Sequence, residues 1–464
     1  MRDVTAASGK ARGPAPGKRS FLFLQGPISP FFPALAAMLK ARGHTVHRIN
    51  VSLGDQLLWK GWFWPQPQWR GFFPEGVSAE DFHGRLSEWR AHVDQALQAR
   101  GVTDLVLLGE QRPYHRIAIA AAKGRGVAVT AIDFGYIRPD WIIVERDGHN
   151  ALSHFPRDPD AIHALAEGLP PVDESKHFAD HFPVQARWDV LFHLANLDFW
   201  RFRHFQGFQL HPVIPAYLGT ALRLILRGRT RRRAEALIAD LPEEAPFFLF
   251  AMQMENDYSI RAYSPYPDMD TALREAVRSF ARHAPPDAHL AVKVHPLDPG
   301  MKRWPSRLAR MARQAGISGR VHLVDAIPLD PLILRAAGVV TVNSTAGIRA
   351  LQLGKPVIAM GDALYRVPDL THEKGLDSFW TEARLPDVAL TDAFLRAIAH
   401  YLHVRGGFYS ADGIAAAVKA TAERLETGLA DFSLLRRPED GQAVTLAPER
   451  PLDIFRPDGL APAP

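Results

Sequence analysis

The chain has 464 residues, 47% hydrophobic and 23% charged, an ordinary globular balance that excludes a disordered or fibrous protein. It has no cysteine, which also excludes disulfide scaffolds, thiolate-bound zinc, iron–sulfur clusters and thiol nucleophiles. Its 55 basic residues, 11 of them Lys, stand against 50 acids, and this arginine-heavy balance of +5 points to an anionic partner: nucleic acid, a phosphorylated ligand or acidic lipid.

Residues 1–19 are small, basic and rich in Pro and Gly, without the apolar core of a secretory signal, and read as a disordered leader. Strand Ser20–Gln25, helix Pro33–Arg42 and strand His44–Asn50 follow, then helix Asp81–Arg100, strand Asp104–Leu108, helix Tyr114–Arg125 and strand Val127–Asp133. A long helical and aromatic stretch runs from Ala161 to Arg233, after which the alternation restarts. Phe247–Met252, His289–Val294, Val321–Val324, Val339–Val342 and Pro356–Met360 are predicted strands. Asp270–His283, Pro305–Gln314, Pro331–Ala336, Ala346–Leu353 and Asp392–His403 are predicted helices. Two rounds of βα alternation predict an α/β protein of two Rossmann-like domains facing a central cleft, divided as 20–235 and 236–431, with a Pro-rich tail at 432–464. No stretch is apolar enough for a spanning helix, so the expectation is a cytoplasmic, soluble or membrane-peripheral protein.

Open α/β sheets bind ligands beyond the carboxyl ends of their strands. After the first strand stands Gln25-Gly26-Pro27, which is neither a dinucleotide fingerprint nor a Walker loop. The third and fourth strands deliver Glu110 and Asp133 to one sheet edge, with Arg112 and Arg138 close by in sequence. Two carboxylates there suit acid–base or nucleophilic work on a sugar, or equally a helix cap and an ion pair. In the second half, Pro296 stops a strand and leaves His295 at its mouth, two residues after Lys293. A neighbouring strand runs into Asn343-Ser344-Thr345, side chains that serve as N-caps or hold phosphate. Trp59, Trp62 and Trp64, then Arg201, Arg203 and Arg231–Arg233, interleave rings and cations as a membrane interface does, or as a packed cleft and a solvated helix face do.

At these segments the sequence resembles the capsule polysaccharide biosynthesis and export proteins of the KpsS type. The resemblance rests on LQGPISPFF, GEQRPYHRIAI, FGYIRPDWIIVE, FLFAMQMENDYSIRAYSPY, VKVHPLDPG, VVTVNSTAGIRAL, GKPVIAMGDALY and LTHEKGLDSFW, which occur in family order between about Phe21 and Gly413. It implies a GT-B-like glycosyltransferase that carries β-Kdo from CMP-β-Kdo to a phosphatidylglycerol-type lipid at the cytoplasmic membrane face, with retention. A second Kdo transferase and the export complex would be its partners. The implied donor site is His295-Pro296 and Asn343, Ser344 and Thr345, with Lys293 and the Gln25–Pro27 turn beside it. Asp133 is the implied nucleophile and Glu110 the acid/base, the reverse assignment staying open, with Arg112, Tyr114, His115, Tyr136 and Arg138 toward the acceptor. Phe134 stands where some members carry a second acid, and Glu110 where the family's usual residue is Asp. No metal or other cofactor and no nucleic acid is expected. The competing readings are a non-enzymatic scaffold of the export complex and a transferase using another nucleotide sugar.

Overall fold

The computed structural model describes residues 17–63, 72, 77–179, 182–198, 200–207, 211–240, 244–254, 257–432 and 435. Most of the expected leader, Trp64 and most of the Pro-rich tail lie outside the described residues.

In the first half, β1 (Ser20–Phe23), α1 (Phe31–Ala41), β2 (Thr45–Asn50), α2 (Leu53–Trp59), β3 (Ser78–Asp81), α3 (Leu86–Ala99), β4 (Asp104–Leu108), α4 (Pro113–Gly124), β5 (Ala128–Phe134) and β6 (Trp141–Arg146) follow one another. The linking helices are α5 (Pro159–Ala166), α6 (Phe182–Ala195) and α7 (Val213–Ala239). The second half contains β7 (Phe247–Ala251), α8 (Tyr258–Tyr263), α9 (Met269–His283), β8 (His289–Lys293), α10 (Trp304–Gln314), β9 (Val321–Val324), α11 (Leu329–Arg335), β10 (Gly338–Thr341), α12 (Ala346–Gln352) and β11 (Val357–Ala359). It continues through α13 (Leu376–Glu382) and α14 (Val388–Leu402) to β12 (His403–Arg405) and α15 (Ala411–Thr427).

The strands form two sheets, ordered β12-β6-β5-β4-β1-β2-β3 and β11-β10-β7-β8-β9. The second is parallel throughout, and the first is parallel except where β6 pairs antiparallel with β5 and β12. Each sheet therefore reverses its winding once, between β1 and β4 and between β7 and β10. These switch points are where doubly wound sheets open a crevice. The expected α/β architecture of two Rossmann-like halves is the one observed.

The division at 235/236 does not describe sheet membership at the C-terminus. β12 pairs with β6, and α15 lies on α1, so the chain returns to the first sheet after Leu402. Phe31 meets Phe408 edge-on with ring centroids 5.2 Å apart. Ile414, Val418 and Leu425 join Phe23 and Phe31 in one buried cluster. A fully buried side chain of this size contributes about 1.5–3 kcal/mol, so this return segment is a structural part of the first half. His403, expected to end a helix, instead starts β12. Its Nδ1–H donates to the Ile398 carbonyl at 2.7 Å and its Nε2 accepts from the Tyr136 backbone N–H at 2.9 Å. Burial drives its pKa down to about 3, so the ring is neutral and holds this single tautomer.

Three further differences have local causes. The Trp-rich region, for which no element is predicted, begins with α2, because the Ser52 side chain caps it by accepting from the Asp55 N–H at 3.2 Å. The helix expected from Asp81 starts at Leu86 instead. Residues 78–81 pair with β2, and Glu88 reaches back to the Arg85 N–H at 2.8 Å to set the helix start. The long helical stretch divides into α5, α6 and the 27-residue α7, of which only Ala234 is buried.

Candidate active site

β4 ends at Leu108, and Gly109 turns the chain with φ of 64°, a left-handed conformation that favours glycine. His115, one turn into α4, donates from Nδ1 to the Gly109 carbonyl at 2.7 Å and fixes this turn. Burial lowers the His115 pKa to about 3. The turn carries Glu110 into the interior, where the Tyr263 hydroxyl, from α8 of the other half, donates to its Oε1. Gln111 Nε2 donates to the same Tyr263 oxygen at 2.7 Å. His149, in the turn after β6, places Nδ1 3.0 Å from Glu110 Oε2. Glu145 of β6 accepts from the Tyr136 hydroxyl at 2.9 Å and from the Ser153 hydroxyl.

One imidazole is thus surrounded by three carboxylates. Burial pulls the His149 pKa down, but the Glu110 contact and the charges of Glu110, Glu145 and Asp133 outweigh it and raise it to about 9. Burial would lift the Glu110 pKa, yet the His149 and Tyr263 bonds hold it below the usual carboxylate value. Burial raises Asp133 and Glu145 instead, and His149 offsets only part of that. Carboxylates pushed apart in this way are candidates for acid and base roles, as they are for a structural ion-pair network. Glu110, Glu145 and His149 are almost fully buried. Asp133, with Oδ1 accepting the Phe134 N–H at 2.7 Å, is only half-buried and is the most exposed carboxylate of the group.

The remaining residues predicted in this half fall into two groups. Tyr114 is a core side chain beside Trp89 and accepts the Gln206 N–H, and His115 is spent on the Gly109 turn. Tyr136 supports Glu145 from below. Neither Tyr114 nor His115 faces the cleft as an acceptor contact. Arg112 stands at the N-cap position of α4 without a side-chain cap bond, influenced by the charges of Asp133 and Asp55, and Arg138 is exposed with its guanidinium 5.5 Å from the Phe134 ring centroid. Gln25, expected beside the donor, is buried and donates to Asp55 Oδ2 at 3.0 Å. Asp55 in turn faces buried Arg48 at 3.5 Å, and Arg48 lies 5.2 Å from the Trp59 ring centroid. A Cβ on Gly26 would come within 2.4 Å of the Phe32 ring, and Pro27 accepts the Ser29 N–H at 2.7 Å. This turn packs against its own helix, and Gln25 and Trp59 belong to a buried polar network rather than to a donor pocket or a membrane surface.

In the second half, His295 follows β8 and accepts the Leu297 N–H on Nδ1 at 3.2 Å. Burial and the Lys293 charge lower its pKa to about 4. The neutral ring therefore carries its proton on Nε2, a donor suited to an anionic leaving group. Lys293 is buried near Asp325 and Arg223, its pKa lowered chiefly by burial. Pro296 is exposed. Asn343 is a strut: it donates to the Ser259 carbonyl at 2.8 Å and accepts from Gln253 Nε2 at 2.8 Å and Ser259 Oγ at 3.0 Å. Ser344 Oγ accepts the Ala346 N–H at 3.2 Å, which leaves Ser344 and Thr345 half-buried at the start of α12. Gly347 lets that helix pass Tyr365, since a Cβ there would stand 2.4 Å from the Tyr365 oxygen. Tyr365 donates to the Ser344 carbonyl at 2.8 Å and fixes the turn.

The two halves meet at this point. Tyr263 spans from α8 to Glu110, and the charge of Arg138 is felt at His295. The charge of Arg138 thus acts on His295 of the second half and is itself influenced by Asp133, while Ser344 and Thr345 lie at the switch point of the second sheet. Sequence reasoning missed His149, Glu145 and Tyr263. His149 lies in an irregular Gly-His-Asn turn with no periodic signal, whereas Tyr263 lies within a segment already singled out, without a role. Among the described residues no three His, Asp or Glu side chains are grouped to hold a metal ion.

Residues 103–409 match the sequence profile described as "Capsule polysaccharide biosynthesis protein". The chain belongs to the capsule polysaccharide biosynthesis protein family. Within it, the chain is 31% identical to "Capsule polysaccharide export protein KpsS" of Escherichia coli over 81% of its length and 93% of that protein. It is 29% identical to "Capsule polysaccharide modification protein LipB" of Neisseria meningitidis, over 84% of this chain and 92% of that one. The KpsS-type resemblance read from the sequence is therefore the one its relatives carry. Among solved structures, the Thermosulfurimonas dismutans KpsC, titled a beta Kdo 2,7 transferase, aligns with a TM-score of 0.40 and 16% identity, over 74% of this chain and 92% of that chain.

Of the membrane-facing candidates in this capsule family member, Trp62, Arg201, Arg203, Arg232 and Arg233 are exposed, and Arg231 pairs with Glu235 at 2.7 Å. No helix among the described residues is long and apolar enough to cross a membrane.

Proposed function

We propose that this capsule family protein is a glycosyltransferase that moves β-Kdo from CMP-β-Kdo to a phosphatidylglycerol-type lipid with retention, acting at the cytoplasmic face of the inner membrane. The observation that supports this reading is the half-buried Asp133 beside Glu110 at the ends of β4 and β5, with neutral His295 and the half-buried Ser344 and Thr345 at strand ends of the second sheet. Asp133 attacks the anomeric carbon while the bond to the CMP phosphate oxygen breaks, giving a Kdo–Asp133 ester and free CMP. The His295 Nε2–H and the Ser344 and Thr345 hydroxyls stabilise the charge that collects on the departing phosphate. In the second displacement the lipid hydroxyl oxygen attacks the same carbon and gives its proton to Glu110, and the Asp133 carboxylate leaves. Two inversions return the β configuration. Glu110 suits the base role because His149 and Tyr263 keep it ionised. Buried Lys293 adds positive charge behind His295 on the donor side, Arg138 stays on the acceptor side, and no metal is assigned a step.

The experiment is incubation with CMP-β-Kdo and a fluorescent phosphatidylglycerol, with linkage analysis of the product and intact-protein mass spectrometry of the enzyme. A β-linked Kdo lipid and a Kdo adduct on the Asp133 peptide are expected. An adduct on Glu110 would exchange the two roles. Absence of product, together with thermal stabilisation by UDP or GDP but not CMP, would replace the donor. Stabilisation by none of the three would favour a scaffold.

A further inference from the structure

α7 is 27 residues long, roughly 40 Å at 1.5 Å per residue, and is anchored along one side only. Arg223 donates to the Asp298 carbonyl and to Asp325 Oδ2 at 2.8 Å, and Tyr217 donates to Asp189 of α6. Gly219 comes so close that a Cβ would lie 2.2 Å from the Pro299 carbonyl oxygen. The opposite side has a different character. Ile214, Leu218, Leu222 and Ile225 recur at four-, four- and three-residue steps, which aligns them on one helix face. Their exposures are 54%, 67%, 56% and 80%. Six of the sixteen large hydrophobics exposed among the described residues lie between 214 and 226. Beyond Ile225 the same face continues as Arg229, Arg232 and Arg233, all exposed. Between Val213 and Ala234 there is no acidic residue.

We infer that the outer face of α7 docks on an anionic lipid bilayer, lying flat with its aliphatic half entering the headgroup–acyl boundary and its arginine half on lipid phosphates. Charge decides the occupant. A second copy packed antiparallel would bury arginines against leucines, and a parallel one would set arginine against arginine. An anionic membrane surface accepts both halves at once, the aliphatic side chains leaving water and the guanidiniums meeting phosphate. The underside of α7 holds the loop that follows His295, through Asp298 and Pro299, so docking brings the cleft mouth to the lipid surface. This deepens the lipid-acceptor part of the proposed function and rests on it for its purpose. Vesicle binding needs no turnover, so either can fail without the other.

The test is flotation of the full-length protein with phosphatidylcholine vesicles, with and without about one-third phosphatidylglycerol. The wild type is expected to float with the anionic vesicles only, and less so as salt rises. Leu218→Ser/Leu222→Ser/Ile225→Ser and Arg229→Glu/Arg232→Glu/Arg233→Glu are each expected to reduce the bound fraction about tenfold without changing the melting temperature. Because the chain has no cysteine, Ile225→Cys can carry a single environment-sensitive dye, whose emission is expected to shift to the blue on anionic vesicles. Three results would overturn the inference: undiminished flotation of the serine variant, no dye response on vesicles that bind the protein, or a wild-type dimer by light scattering that the serine variant dissolves. Failure of the wild type to bind anionic vesicles would overturn it as well.

Discussion

The two sheets present opposite kinds of edge to the cleft. Beyond β4, β5 and β6 the first sheet holds a crowded cluster in which His149 faces Glu110, Tyr136 donates to Glu145 and Tyr263 closes the far side. Beyond β8 and β10 the second sheet offers half-buried His295, Ser344 and Thr345, whose supports, Asn343 and Tyr365, sit behind them. The first edge stores charge that the fold must hold in place, and the second leaves donors directed outward. Substitutions in the first should therefore move stability and activity together, whereas those of the outward donors in the second, as distinct from their supports, should move activity alone.

The largest expected effect breaks that rule at its boundary. Asp133 belongs to the charged cluster but is its most exposed carboxylate, and Asp133→Asn should cost about four orders of magnitude in transfer rate, as removal of a nucleophile does, with little loss of melting temperature. Product formation from CMP-β-Kdo measures it, and retained activity would remove Asp133 from the mechanism. Next comes His149→Gln, which leaves Glu110 buried without its cation and should cost about 3–5 kcal/mol in urea unfolding. His295→Ala should lower transfer about 100-fold, in the range seen when one donor to a developing anion is removed, and leave unfolding unchanged.

The pH dependence separates the two edges further. The His149 pKa is raised to about 9 from an ordinary 6.5, so its contribution to stability is complete below about 6.5 and is lost as pH rises through 9. The melting temperature of the wild type should fall across that window, and that fall should be absent from His149→Gln. Desolvation holds the half-buried Asp133 above the usual aspartate value, so transfer should fail on acidification earlier than an exposed aspartate would dictate. The smallest effect expected is at Asn343→Ala, about 1–3 kcal/mol from bonds left unmade at the β10 turn. Its donor KM should rise only as far as Ser344 shifts.

Most parallel strands were legible because they are buried on both faces and read as apolar runs, as Asp104–Leu108 and Phe247–Ala251 do. β3, with sequence SAED, was not, since an edge strand facing solvent needs no apolar residue. β12 has three residues, and its pairing with β6 depends on a partner some 260 positions earlier, which no local pattern encodes. Glu110, Asp133 and His295 were legible as candidates because they stand at strand ends, where open α/β sheets bind ligands. His149 was missed because its role comes from three carboxylates that only the tertiary fold assembles. Gln25 and Tyr114 were read as ligand contacts from their place in the chain, when burial had already committed them to Asp55 and to the Trp89 core.

The return of β12 and α15 to the first sheet has a consequence for biosynthesis. A ribosome making this chain releases β1 through β6 long before residues 403–429, which supply the last strand and cover Phe23 and Phe31. Until then the nascent first domain displays an unpaired β6 edge and an uncovered apolar face, both of which invite association with other chains. The half of the protein that is translated first is thus completed last.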